Sequence, residues 1–156
     1  VKAFLGEADR RALGNVRAMP VSAELALGHC FEDGAVLELH VYFPDPWPKA
    51  RHASHRLVQP WFAREAHRVL AADGVLRLAT DDVPYAAQID DVVLGSGLFS
   101  AGPDPGCAAG WETKFERLWR GKGRTIRHMA FSPVPGASAR LRAGWTSSGA
   151  RGDSTT

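Results

Sequence analysis

Apolar and polar residues along the chain follow two periods, and together these predict an α/β protein. The apolar run at 35–42 has the composition of a buried strand, and residues 75–80 form a second run of the same kind. Between them, residues 54–71 place apolar side chains on one helical face, although Pro60 must lie in the first turn or kink the helix. Residues 83–94 predict another helix. Strand, helix, strand and helix in this order favour a largely parallel sheet.

The two ends of the chain carry shorter patterns. Residues 1–13 space apolar side chains as in a short amphipathic helix, and Ser22 is a suitable cap for a helix over 23–27. The segment at 15–19 is compatible with a brief strand. Towards the carboxyl end we expect a loop at 100–112, a helix at 113–120, a strand at 125–131 and, after a single domain over 1–132, a disordered tail at 133–156.

Composition narrows the functional classes. A chain of 156 residues that is 45% hydrophobic can form one domain with a substantial core. The formal charge of +2 and the pI of 8.8 mean that nucleic-acid binding must come from local clusters of cations. Cys30 and Cys107 lack C-x-x-C spacing, which indicates a reducing compartment and no structural zinc. We see no signal peptide and no membrane-spanning apolar run, so we expect a cytoplasmic protein without membrane contact.

The stretch FPDPWPKARH at 43–52 directly follows the first predicted strand and is the most informative part of the chain. Two prolines prevent a helix or a strand ladder, and they hold Asp45 between two fixed φ angles before any ligand arrives. Open α/β sheets place their sites at the carboxyl ends of strands. The cations that follow suit a nucleobase within an anionic polymer: Lys49, Arg51, His52, His55 and Arg56.

Simpler interpretations of these residues exist. Pro-Asp-Pro by itself favours a rigid turn, and Trp47 beside it could be a core side chain. His52 and His55 are three residues apart and could form a metal pair, but no acidic or thiolate residue stands at ligand spacing. We therefore expect no metal site.

The stretch at 43–52 resembles the signature of the bacterial tRNA (guanine-N7-)-methyltransferase family, which reads close to FPDPW-x-K-x-R-H. Two further motifs of that family occur in the right order: Thr80-Asp81 with Tyr85 shortly after, and TKFE at 113–116. Each short motif could arise by chance, but their conjunction makes chance improbable. The resemblance covers about residues 12–132. It implies a Rossmann-like class I methyltransferase fold with helices on both faces of a mostly parallel sheet in the strand order 3-2-1-4-5-7-6, S-adenosyl-L-methionine as cofactor, and tRNA as partner.

The resemblance also implies roles for individual residues. Asp45 matches an acidic residue at the border between methyl donor and target base, which makes it the expected catalytic and cofactor-binding residue. Guanine N7 loses no proton on methylation, so the site must align the base and stabilise its growing positive charge. The residues that match tRNA-binding positions are Lys49, Asp81, Thr113, Lys114, Phe115 and Glu116. Asp81 could instead be only a helix cap, and Lys114 with Glu116 only an exposed charge pair.

The sequence departs from the family pattern at the methyl-donor site. Class I methyltransferases hold the donor with a Gly-rich turn after the first strand and an acid after the second, and we find neither. Ser22 stands where the family usually has Asp before Ala, so we expect it to be a weakened cofactor contact. We interpret the chain as a fragment without the N-terminal cofactor-binding part, in preference to a degenerate protein or one completed by a partner. A tRNA-binding remnant without a donor pocket is the alternative to an enzyme, and a transferase acting on a small nucleotide is a more distant one.

Overall fold

The computed structural model describes residues 2–102 and 112–137, which cluster into two compact units, Val1–Phe31 and Glu32–Thr156. The first unit contains α1 (Lys2–Arg10) and α2 (Ala23–His29). The second contains, in chain order, β1 (Val36–Tyr42), a 3-10 helix (Ala50–His55), α3 (Pro60–Val69), β2 (Leu70–Thr80), α4 (Val83–Gly95), β3 (Phe99–Ala101), α5 (Lys114–Gly121) and β4 (Arg127–Pro133).

The first unit confirms its two predicted helices. Ser22 caps α2, because its Oγ accepts a hydrogen bond from the N–H of Leu25 at 3.3 Å. The strand expected at 15–19 does not form. Within this unit the segment pairs with no strand, and the Arg17 guanidinium instead donates to the carbonyls of Gly14 and Val16 at 3.0 and 2.9 Å. An extended segment becomes a strand only when a neighbour completes its ladder.

The second unit is built on a four-stranded sheet in the order β1-β2-β4-β3. β1 and β2 are parallel, whereas β4 runs antiparallel to both β2 and β3. This order is the 4-5-7-6 part of the order that the resemblance implies. Both α3 and α4 contact β2, whose buried Leu76 and Leu78 alternate with a half-exposed Arg77. The core therefore lies between these helices and one face of the sheet.

The junction of α3 and β2 differs from the expectation. The predicted helix over 54–71 begins only at Pro60 in the structure, and the chain is already a strand from Leu70 onward. The turn expected at Gly74 lies within β2, where the register against β1 shifts. A Cβ on Gly74 would lie 2.9 Å from the carbonyl oxygen of Ala71 and 3.1 Å from that of Leu37. Only glycine permits this close approach of backbones.

Other boundaries also need correction. β1 is not a buried strand: Leu37 is 65% exposed, because within the described residues β1 has a neighbour on one side only. β3 occupies the start of the loop expected at 100–112, of which residues 103–111 lie outside the described residues. The tail predicted from 133 starts too early, since Pro133 belongs to β4 and Ala137 is buried. Residues 138–156 lie outside the described part. Every helix in the described ranges is too short or too polar to cross a bilayer.

Candidate functional site

The expected site residues of the second unit come from three separate parts of the chain, and the topology of the sheet brings them to one edge. β1 and β2 are parallel and end together, with Tyr42 beside Ala79. The antiparallel β4 begins at the same edge, where Arg127 pairs with Thr80, and α5 precedes it. We call this region the carboxyl edge and define it as Phe43–Trp47, Thr80–Asp82 and Thr113–Glu116.

The Pro44-Asp45-Pro46 turn is held in an unusual backbone conformation. The N–H of Phe43 donates to the carbonyl of Ala79 at 2.8 Å, which extends the ladder one residue past β1. Phe43 and Trp47, on either side of the turn, have φ angles of +50° and +41°. Residues with side chains rarely adopt these angles, and each costs on the order of 1 kcal/mol. Asp45 is exposed between them, and such strain is typical of functional segments.

Trp47 is an exposed aromatic residue and not a core side chain. Trp47 is 39% exposed, and its ring lies 5.9 Å from the His52 ring and 5.1 Å from the His55 ring, measured between centroids. The two imidazoles, 5.8 Å apart, pack with Trp47 as one aromatic cluster. No group of three or more potential metal ligands occurs in the described ranges. We call these three residues the Trp47 cluster, and exposed rings of this kind can stack on nucleobases.

The Thr113–Glu116 segment adjoins the Asp45 turn through two aromatic rings. Phe115 is 58% exposed, and its ring centroid lies 6.3 Å from that of Phe43. Thr113 begins α5 as its cap, because its Oγ1 accepts from the N–H of Glu116 at 3.1 Å. Lys114 is exposed. The cap and the ring contact place this segment beside the turn that carries Asp45.

Glu116 is buried, so the interpretation of an exposed charge pair with Lys114 is wrong. Its side chain is 2% exposed. Its Oε1 accepts hydrogen bonds from Nη2 of Arg120 at 2.7 Å and from Nε2 of His128 at 3.0 Å. The carboxylate therefore fixes α5 against β4. No feature of the sequence indicates the His128 contact. His128 lies twelve residues after Glu116, in a segment whose alternating pattern predicts only a strand.

Asp81 and Asp82 have different tasks at the end of β2. Asp82 caps α4, since its Oδ1 accepts from the N–H of Tyr85 at 2.8 Å, so the interpretation of Asp81 as the cap is wrong. Asp81 instead forms an ion pair with Arg124, whose guanidinium lies 4.5 Å above the Trp119 ring. This ion pair joins the end of β2 to the segment after α5.

The sequence places Arg56 among the cations expected to contact an anionic polymer, and the structure corrects this expectation. Arg56 is 8% exposed, and its Nε donates to the carbonyl of Pro46 at 2.7 Å. Its Nη1 donates to Oε1 of Gln88 on α4 at 2.6 Å. Lys49 and Arg51 remain exposed. Helix α4 therefore contacts the Asp45 turn through Arg56, a link for which the sequence gives no signal.

Both tyrosines of the chain lie close to this edge and have raised pKa values. Burial raises the pKa of the Tyr85 hydroxyl, and the charge of Asp45 acts in the same direction against the opposing effects of the Val58 N–H and of Arg56. Burial likewise raises the pKa of Tyr42, whose hydroxyl shares a hydrogen bond of 2.5 Å with Nδ1 of His40. Because burial disfavours the charged form, the packing of the edge favours the neutral hydroxyl of both tyrosines.

A sheet in the order β1-β2-β4-β3, with acidic and aromatic side chains at the ends of its parallel strands, has the form of a Rossmann-like class I methyltransferase. Residues 1–129 match the family described as "Putative methyltransferase", and the chain belongs to this family. The motif-based expectation of fold and family is thereby confirmed.

The chain is similar to several proteins named tRNA (guanine-N(7)-)-methyltransferase. It is 42% identical over 134 residues to the one from Leifsonia xyli subsp. xyli, covering 80% of this chain and 57% of that protein. It is 41% identical over 127 residues to the one from Alkalilimnicola ehrlichii (79% and 54%) and 38% identical over 130 residues to the one from Pseudomonas aeruginosa strain UCBPP-PA14 (78% and 53%). The chain thus spans about half the length of these curated relatives.

Proposed function

We propose that the carboxyl edge binds tRNA and presents a guanine for methylation at N7 by S-adenosylmethionine, with Asp45 at the centre of the reaction. The observation that carries this proposal is the convergence of the Asp45 turn, the end of β2 and the Thr113–Glu116 segment at one edge of the sheet. The family membership and the names of the relatives support a methyl transfer to tRNA. The cytoplasm, which contains tRNA, is the proposed place of action.

The residues at this edge fit a sulfonium cofactor. Asp45 is an exposed carboxylate two residues after Phe43 in the chain, and both a carboxylate and an aromatic ring attract a positive charge. S-adenosylmethionine supplies, when bound, a methyl group on a positively charged sulfur. Asp45 is the proposed contact to it in the second unit.

The proposed chemistry needs alignment more than proton transfer. Guanine N7 has an exposed lone pair and loses no proton, so no general base is required. The base gains positive charge as it is methylated, and the carboxylate of Asp45 can stabilise this charge or accept a hydrogen bond from the base. The turn is fixed by its prolines and by the Phe43–Ala79 hydrogen bond, so that little reorganisation accompanies the reaction.

The proposed tRNA contacts are the exposed groups around the turn. Lys49 and Arg51 suit backbone phosphates. Phe115 and the Trp47 cluster offer rings for stacking on bases. Lys114 adds a cation beside Phe115, and the Asp81–Arg124 ion pair has a half-exposed guanidinium that can face RNA. Thr113 and Glu116 are proposed to hold α5 in place for these contacts.

The test is methyl transfer from methyl-labelled S-adenosylmethionine to an unmodified tRNA transcript, followed by nuclease digestion and mass spectrometry. A transcript made with 7-deazaguanine is the matched control, because it keeps the Watson–Crick edge of guanine but lacks N7. The proposal predicts labelled 7-methylguanosine from the first transcript and no label in the second. Label in the control, or at another atom of guanine, would contradict it. Salt-dependent tRNA binding without any transfer would favour the tRNA-binding remnant.

A further inference from the structure

Arg56 is a buried arginine at the centre of the hydrogen bonds behind the Asp45 turn. Its guanidinium donates through Nε to the carbonyl of Pro46 and through Nη1 to Gln88. Its Cζ lies 5.0 Å from the centroid of the Tyr85 ring. A buried guanidinium is costly unless its donors are satisfied. These contacts make Arg56 part of the packed structure and not of the RNA-facing surface.

The bond to Pro46 acts on the backbone of the turn. The carbonyl of Pro46 belongs to the same planar peptide unit as the N–H of Trp47, so its direction sets the φ angle of Trp47. This angle is +41°, in the left-handed region that a tryptophan rarely occupies. Asp45 lies immediately before this peptide unit. A donor that holds the carbonyl therefore holds the strained Trp47 and restricts the backbone from which the Asp45 side chain projects.

The acceptor on the other side of the guanidinium is itself fixed. Gln88 accepts from Arg56 with Oε1 at 2.6 Å and donates from Nε2 to the carbonyl of Val58 at 3.1 Å. The N–H of Val58 in turn donates to the hydroxyl of Tyr85 at 3.0 Å. Gln88 and Tyr85 both lie on α4, a regular helix of the core. Arg56 thereby links the turn to α4 and restricts the movement of the turn.

We propose that Arg56 is a positioning residue that sets the orientation of Asp45 and Trp47 for the reaction, acting from α4 through the Pro46–Trp47 peptide. The catalytic part of this role rests on the proposed function. Lysine cannot replace Arg56, because an ammonium lacks the planar fork that reaches two fixed acceptors at once. The expected consequence of Arg56→Lys or Gln88→Leu is a turn that opens locally while the remaining fold is kept.

Two readouts on the chain itself test the positioning without tRNA or methyl donor. The chain contains five tryptophans, so fluorotryptophan labelling gives five fluorine resonances, and Trp47→Phe identifies the one from Trp47. Trypsin cleavage after Lys49 and Arg51 measures the opening of the turn, and cleavage after Lys122 is the internal reference. The control variant is Arg64→Lys, an exposed arginine on α3.

In both Arg56→Lys and Gln88→Leu we expect the Trp47 resonance alone to shift. We expect cleavage after Lys49 and Arg51 to become about tenfold faster, because loss of a hydrogen bond to a charged group makes opening of the turn more frequent by about this factor. Arg64→Lys is expected to match the wild type. Unchanged resonances and cleavage rates in both variants would overturn the proposal. A joint change of all five resonances with faster cleavage after Lys122 would also overturn it, since it would indicate a general loss of stability.

The same variants connect the turn to catalysis. In the methyl-transfer assay we expect kcat to fall about tenfold, because the alignment of Asp45 is lost. We expect KM for tRNA to rise by less than that, because the proposed contacts at Lys114 and Phe115 lie outside the turn. An unchanged kcat together with an opened turn would overturn the catalytic part of the proposal. Absence of transfer in the wild type and all variants would contradict the proposed function alone, and the resonance and cleavage data would still decide the role of Arg56.

Discussion

The Nε2 of His128 donates a hydrogen bond to the carboxylate of Glu116 over 3.0 Å and joins the first residues of β4 to α5. Arg120 donates to the same oxygen from the exposed side of the helix. The acid of the TKFE motif is therefore an internal support for the segment that carries Phe115. Its burial distinguishes it from Asp45, which is exposed at the same edge.

Glu116→Gln should lower the free energy of unfolding by about 1–3 kcal/mol, because the buried charge that holds His128 and Arg120 is lost. Urea denaturation measures this change. Glu112→Gln is the matched control, since Glu112 is more exposed and its contacts with Arg117 and Arg120 are 3.8 and 4.0 Å long. We expect less than about 0.5 kcal/mol there. Normal stability of Glu116→Gln combined with weakened tRNA binding would instead indicate that Glu116 contacts guanine directly.

The elements of the second unit that the sequence predicts correctly are those with strong local signals. The helix of α4 follows from the spacing of its apolar residues, and it ends at Gly95, two residues before Gly97, where φ is +67°. Thr113 precedes α5 as a cap, as the TKFE sequence allows. The errors have tertiary causes. The helix expected at 54–71 begins only at Pro60, which lies in its first turn, and the N–H of Val58 donates to the Tyr85 hydroxyl on α4 instead of to a helical carbonyl. β3 is three residues long, too short to show an alternating pattern.

Lys49→Ala should weaken tRNA binding uniformly across sequences and reduce the slope of log affinity against log salt by about 1, because the proposed phosphate contact of Lys49 is removed. Filter binding at several salt concentrations measures the slope. Arg64→Ala, on α3 and also exposed, is the control and should leave the slope unchanged. An unaltered slope in Lys49→Ala would remove Lys49 from the phosphate contacts.

The two tyrosines should ionise at a higher pH in the folded chain than in the unfolded one. Burial raises the pKa of both Tyr42 and Tyr85 above the ordinary 10.0, so the folded state favours the neutral hydroxyl. The stability that results is fully present below the unfolded pKa near 10.0 and is lost as pH rises through the higher folded pKa.

Tyrosinate absorbance after a rapid pH jump measures these pKa values, and the same titration in denaturant is the reference. Because the chain has only these two tyrosines, Tyr42→Phe reports Tyr85 alone. The expected result is a midpoint above the reference in both the wild type and the variant. Coincident midpoints in the folded and denatured samples would contradict the burial of both hydroxyls.

The candidate site was predictable in part. Its three segments carry recognisable motifs, and a strand end is where such residues gather. The contacts that shape it were not predictable, because they join residues far apart in the chain: Arg56 with Gln88, Asp81 with Arg124 and Glu116 with His128. A basic residue in a basic run has the same sequence context whether it is exposed or buried, as Lys49 and Arg56 illustrate.

The most direct measurement is the amount of 7-methylguanosine that the wild type and Asp45→Asn form on the same unmodified tRNA transcript, with tRNA affinity measured in parallel. The exchange removes one exposed negative charge and keeps the shape of the side chain. We predict labelled 7-methylguanosine from the wild type, at least about a hundredfold less from Asp45→Asn, and equal affinity for tRNA, as expected for a charge used mainly during the reaction. Equal product from both proteins would contradict the central role of Asp45, and product at another position would contradict the proposed reaction.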